Sequence, residues 1–241
     1  MEQEMILCIP GPWASRSEFL GAIITTEPSG EFIFAGGILT HAREKDFVLL
    51  TYEDSDPRMS EAFRVAGQGK ISEATLQEID SHAGVAYLHF PIDLPGQRER
   101  VIKFTDVVRR AGGIAIKVES SGVAHQWDRW SYLLTGEEFD LYCSVCLLVG
   151  DETHFYSCGM HHFGAPECSV PSQMDVHSAA DLINQFNLFQ IVDRPRLATG
   201  HTFSTDSDSP SFRLALEEDQ RHEPDDLFHN PHGLWVLTPR E

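Results

Sequence analysis

Four cysteines and an adjacent pair of histidines lie between residues 143 and 168, and these are residue types that bind zinc in proteins. Two of them, Cys143 and Cys146, form a Cys-x-x-Cys pair inside the run LYCSVCLLVG. In a zinc knuckle such a pair stands at a tight turn, so that both thiolates point at one ion. We interpret the run as a β-strand, in which residues three apart face opposite sides of the sheet. This interpretation predicts that the two thiols are small apolar core groups and not metal ligands.

A second candidate metal site consists of Cys158, His161, His162 and Cys168. Cys158 and His161 have the spacing of a zinc knuckle, and Gly159 between them permits a sharp turn. Adjacent histidines point in opposite directions in an extended segment, however, and a histidine at a strand end is more often a hydrogen-bonded structural group. We therefore predict no metal and no cofactor, with a metal held by this cluster as the alternative.

The stretch ESSGVAHQWDRW contains residue types that could carry out nucleophilic catalysis. The hydroxyl of Ser120 or Ser121 at a strand-to-helix junction could attack a substrate, with His125 as base and Asp128 as its orienting partner. Backbone amides at the start of the helix could then stabilise an oxyanion. No Gly-x-Ser-x-Gly elbow is present, and serine at such a junction is an ordinary helix N-cap. We favour the N-cap interpretation and predict that the chain is not an enzyme; a hydrolase that uses Ser121, His125 and Asp128 is the alternative.

Charge is the most unusual property of the composition. The chain has 18 Lys and Arg residues against 37 Asp and Glu residues, a formal net charge of −19. Such a charge repels nucleic-acid phosphates and anionic membrane surfaces and favours basic partners. The acidic residues are densest in the run LEEDQRHEPDDLFH, where the candidate partner-binding residues are Glu217, Glu218, Asp219, Glu223, Asp225 and Asp226. We predict a basic protein partner, no nucleic acid and no membrane.

Hydrophobic periodicity alternates between strand-like and helical segments along the 241 residues. Strands are predicted at EMILCIP, GEFIFAGGILTHA, DFVLLTYED, GVAYLHFPID, GIAIKVESS, SFRLALE and GLWVLTP. Helices are predicted at SRSEFLGAIITT, SEATLQEIDSHAG, ERVIKFTDVVRRAGG, SGVAHQWDRWSYLLTG and SAADLINQFNLFQIVD. The segment FDLYCSVCLLVGDETHFYSCGM is predicted to form a hairpin that turns at residues 150–153.

These elements predict an α+β fold with helices packed on a mixed β-sheet. The segment from GVAYLHFPID through the following helix to GIAIKVESS is predicted to form a parallel β-α-β unit, and the hairpins are predicted to be antiparallel. The length suits a single domain, 1–241, or two packed halves, 1–136 and 137–241. Met1 is followed by Glu2 and Glu4 without the basic segment of a signal peptide. The cysteine count of five is odd, so at least one cysteine lies outside any intramolecular disulfide. No apolar run reaches the ~18–20 residues of a membrane span. We therefore expect a cytoplasmic protein.

Three segments together resemble a bacterial family described only as domain of unknown function 4261. They are AGGIAIKVESSGVAHQW, VCLLVGDETHFYSCGMHHFGAPECSV and SAADLINQFNLFQIVD. The resemblance implies a strand leading into a serine-containing turn and a tryptophan-bearing helix, then a strand pair ending near Gly164, Pro166 and Glu167, and a long helix. Members often occur near secreted toxin systems, so the resemblance implies an immunity protein that neutralises a basic toxin by occlusion. An accessory subunit of a secretion system is another alternative. The family supplies no catalytic residues.

Overall fold

The computed structural model describes residues 3–240. The chain has the predicted α+β fold and divides into two compact units, unit 1 (Met1–Thr135) and unit 2 (Gly136–Glu241). This boundary lies one residue before the division between halves expected from the sequence. Among the described residues, no helix is long and apolar enough to cross a membrane.

Unit 1 is built on a seven-stranded sheet. Its strands are β1 (Glu4–Gly11), β2 (Phe32–Ala35), β3 (Ile38–His41), β4 (Asp46–Asp54), β5 (Gly84–Pro91), β6 (Ile116–Val118) and β7 (Val123–His125). They follow the order β2-β3-β4-β5-β1-β6-β7, and each neighbouring pair is antiparallel. Strands β5 and β6 run in the same direction, as predicted, because each is antiparallel to β1, which lies between them.

Helices cover both faces of this sheet. They are α1 (Arg16–Thr26), α2 (Met59–Ala66), α3 (Glu73–Asp80), α4 (Leu94–Arg110) and α5 (Trp127–Thr135). The hydroxyls of Ser15 and Ser72 accept backbone N–H groups and begin α1 and α3. The helix predicted over SGVAHQWDRWSYLLTG begins only at Trp127, because Val123–His125 pairs with β6 as a strand.

Aromatic residues close the core on the α1 side of the sheet. The ring of Phe19 packs edge-on against Trp13 at 4.6 Å and against Phe34 at 5.1 Å. The indole N–H of Trp13 donates to the carbonyl of Ala111 at 2.8 Å, so this buried ring has a partner for its polar atom. On the other face, α2 and α3 pack around Cys8 through a cluster that also contains Met59, Phe63, Leu76 and Ile79.

Unit 2 contains a six-stranded mixed sheet. Its strands are β8 (Leu147–Gly150), β9 (His154–Cys158), β10 (Glu167–Pro171), β11 (Thr202–Phe203), β12 (Phe212–Glu217) and β13 (Leu234–Pro239). They follow the order β11-β12-β13-β10-β9-β8, with β10 and β13 parallel and the other neighbours antiparallel. The unit also contains α6 (Glu138–Val145), α7 (Val176–Val192) and a 3₁₀ turn (Met160–Phe163).

The two faces of this sheet differ in character because successive side chains of a strand point to opposite sides. In β10, Cys168 and Val170 are part of the apolar cluster that contains Phe186 of α7. Glu167 and Ser169 alternate with them and therefore point to the other face. That second face carries the polar groups described below.

Gly84 permits a close contact inside unit 1. A Cβ atom at this position would lie 2.3 Å from the Tyr52 hydroxyl oxygen and 2.5 Å from the carbonyl oxygen of Trp13, which that hydroxyl bonds at 2.6 Å. We expect Gly84→Ala to lower the free energy of unfolding by about 1–3 kcal/mol, because the added methyl group must displace this contact. Urea unfolding followed by circular dichroism measures the change.

Gly21 in α1 provides the matched control, since a Cβ atom there meets no atom within 4 Å. Gly21→Ala should raise stability by up to about 1 kcal/mol through helix propensity. Equal effects of the two substitutions would show that the contact at Gly84 has no energetic weight.

Candidate functional site

The Cys-x-x-Cys pair does not lie in a strand, and the interpretation of LYCSVCLLVG as pleated chain is wrong. Cys143 belongs to α6, and Cys146 is the residue at which that helix ends before β8. The helix is stabilised at its start, where the N–H of Glu137 donates to the Asp140 carboxylate at 3.2 Å. The apolar run is therefore divided between a helix and a strand. Divergence of thiols along a strand is no longer a reason to exclude a metal at this pair.

The other candidate ligands are distributed over different surfaces of unit 2. Cys158 shares a face of the sheet with Glu167, whereas Cys168 points to the opposite, apolar face. His161 and His162 lie on the 3₁₀ turn with their rings 4.2 Å apart. Among residues 3–240, no group of three or more His, Cys, Asp or Glu side chains is arranged to hold a metal ion.

A buried carboxylate organises this region. Glu167 is 2% exposed, and its Oε1 atom accepts the N–H groups of Gly159 at 3.0 Å and Met160 at 2.8 Å. The same oxygen accepts the side-chain amide of Asn230 at 2.9 Å, and Oε2 accepts the Ser157 hydroxyl at 2.7 Å. Four donors therefore compensate for the loss of hydration of one charge. They come from β9, the 3₁₀ turn and the segment before β13.

The two adjacent histidines have different roles beside this carboxylate. Burial lowers the pKa of His162 well below its usual value, so its ring is neutral and Nδ1 donates to the carbonyl of Gly159 at 2.9 Å. His161 is 1% exposed, with Nδ1 3.7 Å from Glu167 Oε1. Neither of its ring nitrogens has a hydrogen-bond partner among the described residues. His161 thus faces the carboxylate without forming a hydrogen-bonded relay.

The candidate nucleophiles in unit 1 lie inside the protein. Ser120 and Ser121 are fully buried, and His125 is 6% exposed. The Ser121 hydroxyl has no hydrogen-bond partner among residues 3–240, so it is not bonded to His125. Asp128 is exposed on α5. The Ser121 hydroxyl, which is enclosed and not paired with a base, therefore lacks the access and activation that nucleophilic catalysis requires.

The acidic run after β12 divides into exposed and buried members. Glu217, Glu218, Glu223, Asp225 and Asp226 are exposed. Asp219 is 7% exposed, which corrects its assignment as a partner-binding residue. Its carboxylate accepts the backbone N–H groups of Arg221 and Asn230, at 3.1 Å each. Burial alone raises the pKa of Asp219, but these bonds and the Arg221 charge bring it below its usual value.

A cleft of about 600 Å³ opens on the second face of the unit 2 sheet. Strands β10, β12 and β13 contribute its inner surface, and the turn after β8 and the segment after β12 contribute its rims. The residues that line it are Asp151, Thr153, His154, Ser169, Glu217, Glu218, Gln220, Arg221, Leu234 and Val236. Its size is within the range of about 300–1,000 Å³ that ligand pockets occupy.

The charges that line this cleft are mainly negative. Hydrogen bonds from the N–H groups of Thr153 and His154 lower the pKa of Asp151 to about 2, so its carboxylate is ionised at neutral pH. Glu217 and Glu218 form no ion pair with any described residue. Arg221 is the one basic residue of the lining with a permanent charge, and it is paired with Asp219 at 3.2 Å. The cleft therefore presents three carboxylates without a compensating cation.

Comparison of the chain with family models, curated proteins and solved structures found no match. The resemblance to domain of unknown function 4261 stays a prediction.

Sequence reasoning found Glu217 and Glu218 through their charge but missed other parts of the site. Ser169 lies in the run ECSVP, where alternation of polar and apolar residues could have indicated one polar face. Asp151 follows Gly150 in the predicted turn, and a turn aspartate commonly accepts nearby backbone N–H groups. The structural role of Glu167 had no local signal, because Asn230 lies 63 positions away.

Removal of the Glu167 carboxylate should destabilise unit 2. We expect Glu167→Ala to cost about 3–5 kcal/mol and Glu167→Gln somewhat less, because the buried donors lose a charged acceptor. Urea unfolding followed by circular dichroism measures both changes. Glu152→Gln, at an exposed position, is the charge-matched control, and a loss as large as that of Glu167→Gln would contradict the assigned role.

Thiol reactivity should distinguish Cys143 from the other cysteines. Cys143 is partly exposed, whereas burial raises the pKa of the other four thiols, Cys8, Cys146, Cys158 and Cys168. We expect one fast reaction with a disulfide reagent at pH about 8 and four reactions at least about tenfold slower, because the thiolate is the reactive form. Cys143→Ser should remove the fast phase. A fast phase that survives this substitution would contradict the burial of the other four.

Proposed function

We propose that the protein is a non-enzymatic binding factor that captures a basic protein through unit 2 and acts by covering its functional surface. The observation that carries the proposal is the cleft lined by Asp151, Glu217 and Glu218. All three carboxylates are exposed and none forms an ion pair with a described residue, and surface charge of one sign favours a partner of the other sign.

The distribution of charge between the units supports this assignment. Residues 136–241 contain 18 acidic and five basic residues, a formal charge of −13, whereas residues 1–135 contain 19 and 13, a formal charge of −6. The negative field is therefore concentrated on the unit that contains the cleft. Such a field accelerates the encounter with a cationic protein and orients it before contact.

The surroundings of the cleft suit a protein better than an isolated small molecule. Glu223, Asp225 and Asp226 are exposed in the segment that follows Arg221. Protein interfaces combine a central buried contact with a polar rim that remains accessible to solvent. We assign the central contact to the cleft and the rim to these three carboxylates.

The family resemblance implies that the partner is a toxin. An immunity protein would then occlude the toxin by contacts from the cleft and from its acidic rim. The hydrolase alternative has less support, because the Ser121 hydroxyl is enclosed and is not bonded to His125. No contact in the described residues favours the secretion-subunit hypothesis over simple capture of one partner.

The test uses a basic protein encoded beside the gene for this chain. Isothermal titration calorimetry at about 50 mM and about 300 mM NaCl should show at least a roughly tenfold loss of affinity as salt screens the charges. Glu217→Gln/Glu218→Gln should weaken binding by about tenfold or more at the lower salt concentration, because two cleft carboxylates are neutralised.

Asp181→Asn/Asp208→Asn is the matched control, since it changes the net charge of unit 2 equally at exposed positions outside the cleft and its rim. We expect it to weaken binding by less than about threefold. If the two double variants lose affinity equally, binding depends on the overall negative charge of unit 2, and the assignment of the contact to the cleft is wrong. Salt-independent binding, or no binding by the neighbouring basic protein, would reject the proposed function.

A further inference from the structure

We propose that the cleft of unit 2 is a receptor for the ammonium group of a lysine side chain on the partner protein. The inference rests on the proposed function and states which group the cleft recognises. It depends on three properties of the lining: acceptors without partners, an apolar inner surface, and an aromatic ring that is already occupied.

The first property is a set of hydrogen-bond acceptors that nothing in the described chain satisfies. Ser169 lines the cleft although the residue is 1% exposed, and its hydroxyl makes no hydrogen bond with residues 3–240. Glu217 and Glu218 have no cationic partner within that range. The side chain of Ser169 is enclosed except toward the cleft, so its hydroxyl is placed to form a hydrogen bond with a group that binds there. It is therefore evidence for a ligand that is independent of the carboxylates.

The second property is the apolar surface between these acceptors. Leu234 pairs with Glu217 across β13 and β12, and Val236 pairs with Ser169 across β13 and β10. Both apolar side chains line the cleft. A lysine stem buries its methylene groups along apolar surface while its charged end reaches polar groups. The alternation of apolar and acceptor residues along β13 and its neighbours provides both environments for one extended side chain.

The third property separates lysine from arginine. The guanidinium of Arg221 lies over the ring of Tyr156 at 4.2 Å and donates to Asp219, whose side chain is 1% exposed. This aromatic face and this carboxylate together form a binding arrangement for guanidinium, and the chain fills it with its own residue. A second guanidinium would find no free ring at this position.

The remaining acceptors suit an ammonium group. Asp151, the adjacent Glu217 and Glu218, and Ser169 come from three separate segments and offer individual oxygen atoms. An ammonium has three rotatable donors and acts as a compact point charge, so it can bond several separate acceptors. Guanidinium is strongest with one carboxylate in a bidentate, planar contact. The arrangement of the acceptors that Arg221 does not occupy therefore favours lysine.

The experiment compares three peptides, acetyl-Ala-Val-Xaa-Val-Ala-amide, in which Xaa is lysine, arginine or the uncharged norleucine. Each is titrated into the ¹⁵N-labelled full chain, and the amide signals of Ser169 and Val236 report binding. We expect the lysine peptide to bind at least about fivefold more tightly than the arginine peptide and norleucine to give no saturable shift. Spermidine is titrated in parallel, and tighter binding of this free amine than of the lysine peptide would overturn the assignment to a protein side chain.

Two variants locate the contact. Ser169→Ala should weaken the lysine peptide by about tenfold, because a hydrogen bond to a charged group is lost. Glu217→Gln/Glu218→Gln should weaken it at least as much, while Asp181→Asn/Asp208→Asn, which neutralises two exposed carboxylates of unit 2 outside the cleft and its rim, should leave it within about twofold. Unchanged amide spectra away from the cleft verify that each variant is folded.

The outcomes separate the two proposals. Equal affinity for the lysine and arginine peptides, still dependent on Glu217 and Glu218, would overturn lysine recognition while leaving capture of a basic protein intact. Lysine binding unaffected by all three cleft substitutions would overturn the site. Failure of the salt and charge tests with the neighbouring basic protein would instead remove the proposed function on which the inference rests.

Discussion

The structure of unit 2 depends on how the buried charge of Glu167 is accommodated. A carboxylate removed from water costs several kcal/mol unless donors replace its hydration. Here the donors belong to Ser157, Gly159, Met160 and Asn230, which come from three separate segments. Each segment must take its observed position for the charge to be satisfied. Glu167 therefore connects the end of β9, the turn that follows and the segment that leads into β13.

This constraint extends to the cleft through Asn230. The N–H of Asn230 donates to Asp219, and Asp219 in turn holds Arg221 over the ring of Tyr156. The segment after β12 is thus fixed at both ends to buried carboxylates. One wall of the cleft is consequently supported by the same polar contacts that compensate for the charge of Glu167. A preorganised wall reduces the ordering cost of binding a partner.

Electrostatics act in this protein at two distances. The −13 charge of residues 136–241 acts over the Debye length and is screened by salt, so in the function we propose it would govern the encounter with the partner. The acceptors of the cleft act at contact and, in the binding that we propose, would select the cation that is retained. The pairing of Arg221 with Asp219 supports the proposed selection at contact. Because Arg221, the one permanently charged base in the lining, is bound to Asp219, it does not compete with a partner's cation for the other carboxylates of the cleft.

The sequence by itself determined the fold class and most strands, because alternation and capping are local signals that neighbouring residues carry. The helices predicted from SRSEFLGAIITT and SEATLQEIDSHAG begin where the structure has them, with Ser15 and Ser72 as N-caps. The excess of acid and its concentration near Glu217 were likewise visible in composition alone. Tertiary structure decided the division of the apolar run at Cys146, the burial of Asp219 and the insertion of β1 between β5 and β6. Each of these depends on partners distant in the chain, and hydrophobic periodicity contains no information about which distant group will satisfy a given charge or pair with a given strand edge.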